Sequence, residues 1–181
     1  INRNNFNMPI YNLPQSLKCL RILGSLFNQP INNLPNNLQI LEIESKEFNQ
    51  LLNYLPQNLI KLSVRSTLFN CTIHNLPSSL KSLQLYLNKF NEPLNSLPQL
   101  DQLLISCKKF NQSLSNLPQS LKGLEIMYGN SFKQSFDYLP SNLRSLTISI
   151  NHFNSPLDNL PQSLTLLRII QCGKFNQPLI N

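Results

Sequence analysis

Phe27-Asn28-Gln29-Pro30-Ile31-Asn32-Asn33-Leu34-Pro35-Asn36-Asn37-Leu38-Gln39-Ile40-Leu41-Glu42-Ile43 carries every element of the unit from which this chain is built. A phenylalanine opens it, a Leu-Pro pair follows, and a Leu-x-x-Leu-x-Ile run closes it. The phenylalanine recurs at Phe6, Phe27, Phe48, Phe69, Phe90, Phe110, Phe132, Phe153 and Phe175, at intervals of 20 to 22 residues. Eight residues after each of the first eight comes the proline of a Leu-Pro pair, from Leu13-Pro14 to Leu160-Pro161. The other prolines, Pro9, Pro30, Pro93, Pro156 and Pro178, each lie three residues after a repeat phenylalanine, so all 13 share one frame.

Self-similarity at about 21 residues with L-x-x-L-x-L in each unit is the sequence signature of a leucine-rich repeat, one short strand per unit lining a horseshoe. The strand alternation places Leu20 and Ile22 inward and Cys19, Arg21 and Leu23 outward. Phe27, Ile31 and Leu34 complete the interior of a coil. No coil can bury these residues alone, so neighbours stack and share one elongated core. The prolines, and the extended geometry they impose on the residue before them, disfavour a regular helix on the return side. The expected fold is a leucine-rich-repeat solenoid, an α/β-type horseshoe that is mainly β. It has about eight parallel strands, with extended or 3₁₀ turns and little α-helix on the convex side. At ~4.8 Å between strands it should run roughly 35–40 Å. Residues 1–181 form a single domain that starts and stops mid-repeat, which points to a segment of a longer protein.

The pattern Phe-Asn-x-Pro-(Ile/Leu)-x-x-Leu-Pro-x-Ser-Leu-x-x-Leu resembles the FNIP repeat, a leucine-rich-repeat variant known mainly from social amoebae and giant DNA viruses. Phe27-Asn28-Gln29-Pro30-Ile31 and Phe90-Asn91-Glu92-Pro93-Leu94 match it closely, and the resemblance covers nearly the whole chain. The Leu-Pro-x-x-Leu stretch is also similar to the short repeats of bacterial effector proteins, which implies an extended convex side. Some members of the FNIP family carry an F-box before the repeats, which implies substrate capture for a ubiquitin ligase. No F-box lies between Ile1 and Asn181, so that role comes from the resemblance alone.

Asparagine follows phenylalanine at Asn7, Asn28, Asn49, Asn70, Asn91, Asn111, Asn154 and Asn176, with Lys133 the exception. Asparagine tolerates turn geometry and satisfies backbone groups, so one per coil predicts a structural ladder bonded to loop amides of the next coil. A ligand contact is the competing reading. Three units are irregular. The fifth is one residue short at Pro98-Gln99-Leu100; the sixth and eighth carry an extra residue after the strand, near Gly129 and Gly173. Glycine readily adopts the left-handed region, so these two are expected to turn there. Such insertions arise by drift or mark a specificity loop.

Charged residues make up 13% of the chain, about half the typical share of about 25%. A low-complexity disordered tract would fit that composition, but not the regular apolar frame. No apolar run reaches the ~18 residues of a membrane helix, and no signal peptide is visible at the start. Catalysis requires convergent groups, and His74 and His152 lie coils apart at different phases. Cys71 and His74 make a lone C-x-x-H without the second pair of a zinc site. Nucleotide-binding glycine motifs are absent. The chain is read as a non-enzyme with no cofactor and no metal. Cys107 and Cys172 share a phase but sit three coils apart, beyond the ~7 Å limit for a disulfide. Reduced thiols point to a cytoplasmic setting, the host cytoplasm if viral. The sequons Asn70-Cys71-Thr72 and Asn111-Gln112-Ser113 use ladder asparagines and are read as chance matches.

Binding is sought on the concave face. Its central row holds Arg21, Glu42, Gln84, Leu104, Glu125 and Arg168, and the next row Glu44, Arg65, Tyr86 and Met127. Arg21 beside Glu42, and Glu44 beside Arg65, are opposite in sign. Tyr86, Leu104 and Met127 form an apolar diagonal of residue types favoured in interface cores. The leading expectation is therefore a protein–protein interaction scaffold with an unnamed protein partner, and with ubiquitin-ligase components as partners if the FNIP resemblance carries over. Two alternatives stay open. The formal charge of +7, with basic rows Lys18, Lys81, Lys122, Arg144 and Lys89, Lys109, Lys174, fits electrostatic binding to nucleic acid or an anionic surface. Leu166, Ile170, Leu179 and Ile180 near one end fit end-to-end self-association.

Overall fold

A computed structural model describes Ile1 and residues 5–179. Eight strands follow one another: β1 (Cys19–Leu23), β2 (Ile40–Glu44), β3 (Lys61–Ser66), β4 (Ser82–Leu87), β5 (Gln102–Cys107), β6 (Gly123–Met127), β7 (Ser145–Ser149) and β8 (Leu166–Ile169). They form one parallel sheet in sequence order. Among the described residues there is no helix, and the return arms consist of turns and extended chain. The register sets equivalent residues of successive repeats side by side, Leu20 to Leu41 and Leu62 to Leu83.

Local chemistry explains the coil. After each Leu-Pro the chain turns, and the next leucine amide donates back to the proline carbonyl, as in Leu38 to Pro35 at 3.0 Å and Leu80 to Pro77 at 3.0 Å. In the shortened fifth unit the turn closes one residue earlier, Leu100 to the Pro98 carbonyl at 2.7 Å. The strand therefore enters the sheet in register despite the deletion. Strand alternation then divides the faces. Leu20 and Ile22 point into the core while Cys19, Arg21 and Leu23 lie exposed on the other side.

All ten phenylalanines of the chain form one continuous stack. Ring centroids lie 5.7 Å apart between Phe6 and Phe27, 6.0 Å between Phe27 and Phe48, and 6.1 Å between Phe48 and Phe69. Most are near-parallel; Phe69 and Phe90 tilt by 32°. Phe136, which occupies the position of Ile31 in its unit, enters the stack between Phe132 and Phe153 and meets Phe153 edge-on at 85°. Offset and edge-on contacts are the favoured arrangements of aromatic quadrupoles.

Two polar ladders run beside this spine. The Asn28 amide donates to Asn7 Oδ1 at 2.8 Å, Asn49 to Asn28 at 2.9 Å and Asn70 to Asn49 at 2.9 Å. The pattern continues from Asn111 to Asn91, from Lys133 to Asn111 and from Asn176 to Asn154. Among the described residues no such rung joins Asn91 to Asn70, and Lys133 has no side-chain oxygen to offer Asn154. The second ladder begins two residues after the Leu-Pro proline. Asn37 and Asn58 donate to the Gln15 and Asn36 carbonyls at 3.0 and 2.9 Å, while Ser79 and Ser120 donate to the Leu59 and Leu100 carbonyls at 2.7 and 2.6 Å. These bonds satisfy backbone groups that a helix-free return arm would otherwise leave to water.

The insertions depart from the sequence expectation. No glycine has positive φ; Tyr128 (φ 53°) and Gln171 (φ 54°) take the left-handed conformation instead. At the first insertion the Tyr128 amide donates to the Ser149 carbonyl of β7 at 2.7 Å, and the Asn130 amide donates to the Tyr128 carbonyl at 2.9 Å across Gly129. Gly129 serves close approach: a Cβ there would lie 3.1 Å from Phe132 Cβ and 3.5 Å from Ile150 Cγ1.

Phe48 is 0% exposed, with near-parallel rings on both sides. Phe48→Ala removes a fully buried ring from the middle of the stack, and a loss of about 3–5 kcal/mol is expected in urea unfolding. An effect below about 1 kcal/mol would show that the stack is not what holds the coils together.

Candidate functional site

Parallel register turns every outward strand position into a row across the sheet. The central row reads Arg21, Glu42, Ser63, Gln84, Leu104, Glu125, Thr147 and Arg168, and the row toward the strand C-termini reads Leu23, Glu44, Arg65, Tyr86, Ser106, Met127 and Ser149. Thr147 and Ser149 are buried although they stand on this face.

The central row is largely occupied with itself where it is charged. Glu42 receives Arg21 Nε at 2.7 Å and Lys61 Nζ at 2.9 Å. The Lys61 hydrogen bond holds the Glu42 carboxyl below its usual range against an opposing effect of burial, and the charges of Lys61 and Arg21 act in the same direction. Lys61 was not singled out from the sequence. It stands at the start of β3, and only the side-chain reach across one strand brings it to Glu42.

The C-terminal row is more open. Arg65 Nε lies 3.9 Å from Glu44, a long contact, and its guanidinium carbon sits 4.3 Å from the centre of the Tyr86 ring. This row and the loop after it line a groove of about 850 Å³. Glu44, Arg65, Tyr86 and Met127 border it, together with Lys46 and Lys108 from the loops. Leu104 lies one row away and does not border it, so the diagonal expected from sequence is divided: Tyr86 and Met127 share the groove with Ser106 between them. Arg21, Glu42, Gln84, Glu125 and Arg168 also lie outside its lining.

Tyr128 was not named among the sequence-derived site residues. The extra residue in the sixth unit was the available signal, and the structure places Tyr128 at the groove, 54% exposed. A left-handed backbone is strained for an L-residue with a bulky side chain, and such outliers concentrate at functional positions.

The asparagine ladder lies on the return arm, away from this groove. Of the basic rows, Lys122 is held by Asp101 at 3.2 Å, and Lys81 donates to the Gln99 carbonyl at 3.1 Å. Leu166, Ile170 and Leu179 are exposed; Ile180 lies outside the described residues. The four cysteines are unpaired. Burial raises the Cys107 thiol above its usual range, and its sulfur bonds the Phe90 carbonyl at 3.3 Å, where Ser66 bonds the Phe48 carbonyl at 2.8 Å in its own coil. Among the described residues no group of His, Cys, Asp or Glu is placed to hold a metal ion, and no helix is long and apolar enough to cross a membrane.

The fold is a leucine-rich-repeat solenoid. The crystal structure of the giant-virus protein CroV588, described as a novel circular LRR protein, matches over 93% of this chain with a TM-score of 0.61 and 31% identity. The chain spans only 32% of that protein's length. No family model and no curated protein matches the sequence. Solenoids of this kind are typically non-enzymatic binding scaffolds.

Two measurements check this geometry. Glu42 has a folded pKa below the unfolded value of 4.5, so its ion pairs stabilise above that pH and the contribution fades as pH falls through the folded pKa. Glu42→Gln should therefore lower the free energy of unfolding at neutral pH, by no more than about 1 kcal/mol for partly exposed pairs. The gap to the parent should close in acid below the carboxylate range; a gap independent of pH would contradict the ion-pair account. At the insertion, Tyr128→Asn places a residue tolerant of the left-handed region there and should raise stability by roughly 0.5–1 kcal/mol. A decrease would mean that the ring is held by packing stronger than the backbone strain.

Proposed function

We propose that this chain is a non-catalytic protein-recognition scaffold that holds its partner on the outward face of the parallel sheet. The observation that carries this reading is the groove across β1 to β6, bordered by Tyr86, Met127 and Tyr128 on one continuous parallel sheet. Aromatic, Met and Arg side chains are the types enriched at the centres of protein interfaces, and Arg65 lies against Tyr86 within it. The sheet face of a stacked solenoid offers an extended surface of this kind. Arg21, Glu42, Gln84, Leu104, Glu125 and Arg168 form the remainder of the proposed contact surface, beside Glu44 and Arg65.

Substrate capture for a ubiquitin ligase is the finer form of this reading. It rests on the likeness of Phe27-Asn28-Gln29-Pro30-Ile31 to FNIP repeats and requires a ligase-binding segment outside residues 1–181. A cytoplasmic setting accords with four unpaired thiols.

Photo-crosslinking residues substituted at Tyr86, Leu104 and Met127 test the scaffold reading in the cytosol of the source cell. Discrete protein adducts are expected from these positions and not from Tyr54 or Tyr138, which are exposed elsewhere on the coils. Adducts confined to Tyr54 and Tyr138, or none at any position, would overturn it.

A further inference from the structure

The groove has a chemical bias that narrows what occupies it. Three cations, Lys46, Arg65 and Lys108, border it against a single carboxylate, Glu44. Lys89 and Lys109 stand exposed in the adjoining loops. Arg65 is held loosely: its nearest carboxylate contact is 3.9 Å, and its side chain is 55% exposed. A guanidinium in that position keeps donors free for a carboxylate, which it can grip in bidentate fashion. Beside it, Tyr86 and Met127 flank the smaller Ser106, leaving an apolar-walled dip.

Resting on the scaffold reading above, we infer that the groove takes an extended acidic peptide of about seven residues, carboxylates on Lys46, Arg65 and Lys108, with one aliphatic side chain between Tyr86 and Met127. The length follows from the span. Leu23 on β1 to Met127 on β6 crosses five inter-strand gaps, roughly 24 Å at ~4.8 Å each. An extended chain advances about 3.4 Å per residue. Tyr128, whose backbone is left-handed, borders the same groove and offers a further aromatic contact. A nucleic acid fits less well. The Tyr86 face is already covered by Arg65 at 4.3 Å, so no base can stack there on that side, and Glu44 opposes a strand carrying one charge per nucleotide. A peptide can space its carboxylates around Glu44.

The test is fluorescence anisotropy with a labelled heptapeptide of six glutamates around a central leucine, titrated with the 181-residue chain. Saturable binding is expected, weakening at least tenfold when Arg65→Glu and Lys108→Glu are combined. Replacing the peptide's leucine by serine should cost roughly tenfold, the scale of one buried aliphatic side chain. Lys18→Glu with Arg144→Glu, at the opposite strand ends, should leave affinity unchanged. Tyr128→Asn gives the sharpest separation: affinity falls severalfold while the melting temperature rises, which a merely destabilised protein cannot do. Absence of binding at millimolar peptide, insensitivity to the paired charge reversal, or tighter binding of an oligothymidylate of equal length would each overturn the inference. Crosslinks at Tyr86, Leu104 and Met127 without peptide binding would reject the acidic occupant and leave the scaffold reading standing. Peptide binding with the stated variant pattern but without cytosolic crosslinks would support the groove's specificity and reject the broader scaffold reading.

Discussion

A coil of this protein is stable only because another coil lies against it. The constraint is visible in the phenylalanines, which stack ring on ring from coil to coil at 5.4 to 6.3 Å, and in the side chains of the Phe-Asn ladder, which bond the next coil's backbone and not their own. Nearly every interaction that organises the chain crosses from one repeat to the next, as expected of a quasi-one-dimensional array. The irregular units obey the same rule. The fifth unit loses a residue in the turn after proline, where Leu100 still closes a hydrogen bond, and the sixth gains one after the strand, where Tyr128 absorbs it. Neither change disturbs the register of the sheet.

Most of this architecture was legible in the sequence because it repeats. Proline and phenylalanine spacing implies coils, the Leu-x-x-Leu-x-Ile run implies strands, and period two assigns Leu20 and Ile22 to the interior. The second ladder, through Asn37, Asn58, Ser79, Ser120 and Ser163, lay in plain view within the Leu-Pro-x-Ser-Leu pattern. Its role depends on which carbonyl a short side chain reaches across a gap, and spacing along the chain does not give that distance. The insertions failed for a related reason. Propensity favours Gly129 as the left-handed residue, but the left-handed φ falls on Tyr128, whose amide is tied to the Ser149 carbonyl of the neighbouring strand.

The candidate site was legible as rows and not as a shape. Register alone puts Arg65 near Glu44 and Tyr86 near Met127. It cannot tell that Glu42 is claimed by both Arg21 and Lys61, or that the Arg65 guanidinium leans over Tyr86. Those choices follow from side-chain length and competition among charges. They divide a face that looks uniformly mixed in sequence into a self-neutralised centre and an open, positively biased margin.

The missing rung between Asn70 and Asn91 lies on the return arm behind this margin. It separates the coil that leads into β4, bearing Tyr86, from the coil that leads into β5, bearing Ser106. The two phenylalanines at that boundary are also tilted, at 6.2 Å. The Phe-Asn ladder is therefore divided into separate runs, Asn7 to Asn70 and Asn91 to Lys133, while the sheet passes the gap between them without a break.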